Sequence, residues 1–210
     1  MAARKRKKIV FVCTGNTCRS PMAQLLLSCE LKKRNLSGFD VRSAGISVQK
    51  GDVINPKSAE VLQENAIGSE GFVATKLTEK LLSDAFAVIC MTERQREYLM
   101  DMRWNALKKV GKTQDAEVEN NVYSFAEITG YEILDPYGKD IDCYRYVFGL
   151  LAAGIPKLIE KLRLQDHAWE KKPKTSVKAP KKKTTQIKTK KKTLSKKQKK
   201  ESENEQLSIF

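Results

Sequence analysis

The sequence predicts an α/β protein, a doubly wound parallel sheet of four strands with helices on both faces. Two apolar runs, Ile9-Val10-Phe11-Val12 and Ala85–Met91, have the continuous apolar character of strands buried on both faces. Segments with helical spacing follow the strands, and strands alternating with helices call for parallel crossovers. A third observation is the junction Val12–Pro21, where an apolar strand runs through a short polar loop into a helix. In open α/β sheets that is the place where ligands bind.

The elements follow in order. The first helix is expected from about Pro21 to Arg34, with Leu25, Leu26, Cys29 and Leu36 facing inward. Pro21 suits a first helical turn, where its missing N–H removes no bond. Asp40–Ser43 reads as a second strand ended by Ala44-Gly45. Asn55 and Pro56 are an N-cap and a first helical residue, opening a helix that carries Ala59, Val61, Leu62 and Ala66. Thr78 or its neighbour caps a short helix, and Thr92 caps another from Glu93 to about Met102. The polar stretch from Arg103 to Asn121 reads as an irregular insertion before a fourth strand, Val122–Phe125. Residues from Asp142 to Leu164 form the last helical region, with Val147, Leu150, Leu151, Leu158, Ile159 and Leu162 as its apolar stripe. Gly154 and Pro156 are expected to kink or interrupt it.

The 210 residues suffice for one domain and an appendage. Charge divides them. Residues 1–8 carry five basic groups, and residues 168–210 carry fifteen lysines against four acids, which leaves −1 of the total +15 for residues 9–167. The expected organisation is a basic N-terminal extension (1–8), a folded domain (9–167) and a Lys-rich tail (168–210). Residues 171–200 have almost no large apolar side chain and are expected to be disordered. The tail is either a solubilising segment or an electrostatic attachment to a polyanion such as nucleic acid or a ribosome. It holds no interleaved aromatics for stacking on bases.

The five cysteines, Cys13, Cys18, Cys29, Cys90 and Cys143, have no regular spacing, so a secreted disulfide scaffold is not indicated. No apolar run is long enough to span a bilayer, and Ile9–Cys13 is too short for a signal peptide. A cytoplasmic protein, a monomer free of the membrane, is expected. His167 is the only histidine, which excludes Ser-His-Asp and Cys-His catalysis within one chain and disfavours a metal site. No cofactor is implied.

The loop carries the chemistry. Cys13 and Arg19 are separated by five residues, Thr14, Gly15, Asn16, Thr17 and Cys18. Wrapped into a ring before a helix N-terminus, their N–H groups would form an anion nest. Arg19 would add a two-pronged contact to a phosphate. The same field favours a thiolate at Cys13, the nucleophile. Gly15 is expected to take a backbone conformation closed to other residues. Asn16 would hold the loop by side-chain bonds, and Ser20 would donate to the Cys13 sulfur. Protonation of the leaving group falls to Asp135, in Leu134-Asp135-Pro136-Tyr137-Gly138, although Asp-Pro-x-Gly is also a common turn.

Cys-Thr-Gly-Asn-Thr-Cys-Arg-Ser-Pro between a strand and a helix, with Ser43-Ala44-Gly45 and Asp135-Pro136-Tyr137 downstream, resembles the low-molecular-weight protein-tyrosine phosphatase family over about residues 9–165. The resemblance implies strand order 2-1-3-4 and a metal-free hydrolysis of phosphorylated proteins through a cysteinyl-phosphate. It assigns Cys13, Arg19 and Asp135 to catalysis. Phosphate binding falls to Thr14, Gly15, Asn16, Thr17, Cys18 and Ser20, and Tyr137 becomes an aromatic wall beside the substrate. It also leaves two readings of Cys18, a redox partner that closes a disulfide with Cys13 or a small packing residue.

Two departures point to the branch that acts on protein phosphoarginine. Thr17 stands where tyrosine-directed members often carry an aliphatic residue, and Met91-Thr92 where they often carry Met-Asp. The run Leu77-Thr78-Glu79-Lys80-Leu81 looks like the same branch. Gln24 stands where many members have glutamate, with an expected effect limited to the helix surface. Phosphoarginine is therefore the first expected substrate and phosphotyrosine the second. The alternatives are an arsenate reductase on the same fold, or a phosphate-binding or polyanion-binding protein that acts through its basic tail.

Overall fold

In a computed structural model, residues 5–111 and 121–169 are described. The expected disorder of 171–200 lies outside them. Four parallel strands form one sheet, β1 (Lys7–Cys13), β2 (Phe39–Gly45), β3 (Ala87–Cys90) and β4 (Val122–Ser124), in the order β2-β1-β3-β4. β1 is central, with Ile9 opposite Val41 on one side and Ala87 on the other.

Side chains alternate across β1 and β3 and build two cores. Ile9, Phe11, Ala87 and Ile89 face α1 (Arg19–Lys33) and α6 (Ile141–Lys161). Val10, Val12, Val88 and Cys90 face α3 (Glu79–Asp84) and α4 (Glu93–Lys109). Because both faces are covered, these strands are apolar at every position from Ile9 to Cys13 and from Ala87 to Cys90. Caps set the helix starts. Asn55 accepts from the N–H of Lys57 ahead of α2 (Pro56–Glu64), Thr78 from Leu81, Thr92 from Gln95, and Asp140 from Cys143.

Several boundaries differ from expectation for physical reasons. The buried face of α1 is Met22, Ala23, Leu27 and Leu31, while Leu25, Leu26, Cys29 and Leu36 are only half-buried. The i, i+4 row Ala23-Leu27-Leu31 lies against the sheet, and the other apolar residues flank it. α4 does not end at Met102. It runs to Lys109 because Arg103 is buried there and donates to the carbonyls of Leu82 and Ala85 at the end of α3, while Ala106 and Leu107 are buried beside it. The rest of the expected insertion, 112–120, lies outside the described residues.

Phe125 does not extend β4 but opens a short helix, α5 (Phe125–Thr129). Ser124 and Glu127 form a reciprocal capping box there. α6 is not interrupted by Gly154 and Pro156. Proline removes one N–H from the helix, and Gly154 is present because a Cβ there would overlap the Phe125 ring of α5. Among the described residues, no helix is long and apolar enough to cross a membrane.

The last described turn, α7 (Leu164–His167), docks beside the start of β1. Lys7 Nζ lies 2.9 Å from His167 Nδ1 and 4.2 Å from the centroid of Phe86, and the His167 ring meets Phe86 edge-on at 5.0 Å. To accept from an ammonium group, Nδ1 must be unprotonated. Burial, and then the Lys7 charge, hold the His167 pKa below its ordinary value of 6.5. The folded state thus takes up this proton at lower pH than the unfolded chain does. The stability it contributes is present above pH 6.5 and is lost as pH falls toward the folded value. His167→Phe should remove that part of the pH dependence. Urea melts of both proteins between about pH 7.5 and pH 5 check this, and parallel profiles would refute it.

Candidate active site

The Cys13 loop is held by its own buried side chains. β1 delivers Cys13, which is 2% exposed, and α1 begins at Arg19, so the loop closes within five residues. The N–H groups of the first turn of α1 have no partners within the helix and open toward this loop. Ile46 donates to the Cys13 carbonyl at 3.0 Å and Ser47 to the Thr14 carbonyl at 2.9 Å, which carries the β1–β2 pairing past the strand ends. Gly45 permits that approach. A Cβ there would lie 2.8 Å from the Thr14 carbonyl oxygen and 2.9 Å from the Asn16 nitrogen.

The residue with the unusual backbone is Asn16, not Gly15. Asn16 has φ +55°, whereas Gly15 lies outside the left-handed region. Asparagine tolerates that conformation, and here its side chain secures it. Asn16 is fully buried. Its Nδ2 donates to Ser20 Oγ at 2.9 Å and to Ser43 Oγ at 2.8 Å, and its Oδ1 accepts from the Thr75 N–H at 2.8 Å. Ser43 in turn donates to Gln24 Oε1 at 2.6 Å. Ser20 Oγ lies 2.9 Å from Cys13 Sγ. Since Ser20 accepts from Asn16, its own proton is free to point at the sulfur. Two arms thus diverge from the Asn16 amide, one through Ser43 to Gln24 and one through Ser20 to Cys13. Gln24 is not a surface substitution. It anchors the network.

Arg19 is 3% exposed. Its Nη1 donates to the Ile133 carbonyl at 3.2 Å, and its Nη2 is ion-paired with Asp135 Oδ2. Its Nε is buried and has no acceptor among the described residues. Asp135 is half exposed, and its other oxygen accepts from the Tyr137 N–H at 3.2 Å, so the turn expected of Asp-Pro-x-Gly forms as well. Tyr137 is 71% exposed at the mouth.

These groups share one cavity of about 400 Å³, lined by Cys13, Thr14, Gly15, Thr17, Cys18, Arg19, Asp135 and Tyr137. Asn16 and Ser20 lie beneath its floor, their side chains engaged in the internal network. Three further lining residues were missed from the sequence: Ser47, Gln49 and Asp52. They follow β2 in a segment without periodicity, where only Ser43-Ala44-Gly45 gave a signal. Gln95 was also missed. It accepts from the Met91 N–H at 3.0 Å and approaches Thr14 Oγ1 at 3.4 Å, tying the end of β3 to the loop.

The other cysteines differ sharply. Cys18 is buried, and its sulfur lies 3.6 Å from Tyr144 Oη. Burial, and next the bond to Cys18, raise the pKa of the Tyr144 hydroxyl. Cys90 is fully buried in β3, and desolvation pushes its thiol pKa up to about 12. Cys143 is half-buried in the first turn of α6.

Gln24→Leu should leave the buried Ser43 hydroxyl without its acceptor. One such bond is worth about 0.5–1.5 kcal/mol, so kcat/KM on an aryl phosphate should fall by up to about tenfold. Gln24→Glu keeps an acceptor and should retain activity. An unaffected leucine variant would show that the network does not tune Cys13.

Comparison with known proteins agrees with this geometry. A family model described as low molecular weight phosphotyrosine protein phosphatase matches residues 8–168. A protein-arginine-phosphatase of Bacillus subtilis (strain 168) is 32% identical over 158 residues, spanning 74% of this chain and 96% of the relative. The low molecular weight protein-tyrosine-phosphatase PtpB of Staphylococcus haemolyticus is 31% identical over 153 residues, spanning 72% and 96%. Among solved structures, a mutant of the YwlE arginine phosphatase with a phosphorylated active site serine superposes with a TM-score of 0.63 at 30% identity, covering 74% of this chain and 95% of that one. The chain belongs to the low molecular weight phosphotyrosine protein phosphatase family and is a protein phosphatase of that family.

Proposed function

We propose that the chain hydrolyses phosphoarginine, and secondarily phosphotyrosine, on proteins through a cysteinyl-phosphate at Cys13. The observation that carries the reading is that Cys13, Arg19 and Asp135 line one cavity and that Arg19 keeps a buried donor, Nε, with no acceptor among the described residues. A phosphoryl oxygen supplies the missing acceptor, because a buried donor left unpaired costs about 1–3 kcal/mol.

The steps use this chain's own groups. The Cys13 thiolate attacks phosphorus, an S–P bond forms, and the bond from phosphorus to the leaving nitrogen or oxygen breaks. Asp135 gives its proton to that leaving atom. The Asp135 carboxylate then takes a proton from water, water attacks phosphorus, the S–P bond breaks, and phosphate leaves with the thiolate restored. Ser20 supports the sulfur as leaving group from 2.9 Å. Arg19 and the loop N–H groups hold the equatorial oxygens, which carry the transition-state charge. A relative solved with its phosphorylated active site serine supports a covalent intermediate at this loop.

Thr17 lines the cavity, where its hydroxyl can act as donor or acceptor toward a leaving group. Phosphoarginine presents N–H groups that a threonine hydroxyl can satisfy, whereas phosphotyrosine presents an apolar ring. Identity to arginine phosphatases and to tyrosine phosphatases is nearly equal, so Thr17 decides the preference in this reading. A cytoplasmic, reducing compartment suits a reactive thiol. Arsenate reduction would need two further accessible thiols, and Cys90 is buried in the sheet.

Thr17→Ile should shift the ratio of kcat/KM for phosphoarginine over phosphotyrosine peptides down by about one to two powers of ten, since one unmatched polar group costs about 1–3 kcal/mol. A ratio that stays or rises makes phosphotyrosine the substrate. Asp135→Ala should slow poor leaving groups by about 10²–10⁴-fold and activated aryl phosphates far less. Equal losses would reduce Asp135 to a turn residue.

A further inference from the structure

The cavity that holds Cys13 carries a charge that phosphate binding alone does not require. Asp52 lines it together with Cys13, Arg19 and Asp135. Asp135 is ion-paired with Arg19. Asp52 makes no ion pair among the described residues. Lys50, close by in sequence, is exposed and makes none either. A fixed carboxylate beside the place where a phosphoryl group lands opposes that anion. The position therefore needs a reason to be an acid.

The turn around Asp52 does not supply one. Asp52 Oδ2 accepts from the Gln49 N–H at 2.9 Å, and the Asp52 N–H donates to the Gln49 carbonyl at 3.2 Å. An asparagine or serine closes such a turn without charge. The second oxygen, Oδ1, has no hydrogen-bond partner among the described residues. Asp52 is half-buried, so its charge is less screened than that of a fully exposed acid.

The segment from Ile46 to Asn55 is pinned to the Cys13 loop at both ends. Ile46 and Ser47 donate to the Cys13 and Thr14 carbonyls at one end, and the Asn55 N–H donates to the Thr17 carbonyl at 2.8 Å at the other. Between them, the Asp52 carbonyl accepts from the Ala74 N–H at 2.9 Å, and Val53 pairs with Val73 in an antiparallel bridge. The carboxylate thus stands on a braced segment whose position relative to Cys13 is set by the backbone.

We propose that Asp52 is a specificity-determining residue that receives the cationic side chain of a lysine or arginine next to the phosphorylated residue of a protein substrate. This role rests on the Cys13 cavity being the site of phosphoryl transfer, and it is independent of whether arginine or tyrosine carries the phosphoryl group. Arg19 and the loop N–H groups take the phosphoryl oxygens. Asp52 takes the ammonium or guanidinium of the neighbouring residue, with Oδ1 as the acceptor. A glutamate or aspartate in the same substrate position meets a like charge and is rejected. The net charge of +15 on the whole chain works the other way, because long-range attraction favours acidic substrates. A preference for basic neighbours must therefore come from the cavity itself.

The test uses the full chain and pairs of peptides that differ only in the residues flanking the phosphorylated one, lysine in one peptide and glutamate in the other. One pair carries phosphotyrosine and a second carries phosphoarginine. At low salt kcat/KM should favour the lysine peptide by about tenfold in both pairs, and the ratio should shrink in about 0.5 M salt. Asp52→Asn keeps an acceptor for the Gln49 N–H and removes the charge, so it should lower the ratio by about fivefold. Asp52→Lys should invert it. A ratio between two peptides is insensitive to a general loss of activity, so a merely structural role at position 52 would leave it unmoved. An unchanged ratio in Asp52→Asn, or a parent ratio at or below one, overturns the proposal. Hydrolysis that survives in Cys13→Ser would place the chemistry outside this cavity and remove the basis for both readings. An inactive Cys13→Ser with a ratio indifferent to position 52 would reject the role of Asp52 alone.

Discussion

The structure depends on one buried side chain, Asn16. A loop that must return from a strand to a helix in five residues needs a left-handed backbone position, and glycine is the usual residue for it. Here Asn16 takes it at φ +55°, and its amide satisfies three partners from three other segments, Ser20, Ser43 and Thr75. Each of those bonds is made in the interior, where an unmade one costs about 1–3 kcal/mol. The loop is therefore not free to relax. Its shape is fixed by α1, β2 and the segment before α3 together, and the sulfur of Cys13 inherits that rigidity through Ser20.

The topology then separates two electrostatic poles. All strands run one way, and the helices that connect them run back. The open N–H groups at the start of α1 collect at the end of β1, where Cys13 and Arg19 stand. The C-terminal turns of α1 and α6, with Lys32, Lys33 and Lys161, stand at the opposite edge. The near-neutral formal charge of residues 9–167 hides this division, because it averages over the two edges. A phosphatase can thus be strongly basic overall without its mouth being the source of that charge.

Much of the fold was legible because its signals are local. Continuous apolar strands, Asn55-Pro56, Thr78 and Thr92 each announce an element within a few residues, and the sheet order followed from the motif's resemblance to a known family. The failures share a cause. α4 was cut short because Arg103 reads as polar, yet a guanidinium can be buried where it closes the carbonyls of Leu82 and Ala85. α6 was expected to break at Gly154, yet the glycine marks the approach of Phe125 from another helix. The capping box of Ser124 and Glu127 was present in the sequence and went unread.

The candidate site divides the same way. Cys13, Arg19 and the loop between them lie within one stretch of sequence, and the family's spacing points on to Asp135. What no spacing encodes is the contact of that stretch with distant ones. Gln24 looks like a helix-surface residue until Ser43 is placed beside it, and Ser47, Gln49 and Asp52 look like a polar linker until β2 is paired to β1. Gly15 misled for a related reason. A glycine beside an asparagine invites the assignment of the left-handed position to glycine, and only the partners available to each side chain decide it. With Ser20, Ser43 and Thr75 converging on position 16, the asparagine is the residue that can both adopt the conformation and hold it, and Gly15 lines the cavity without needing that conformation.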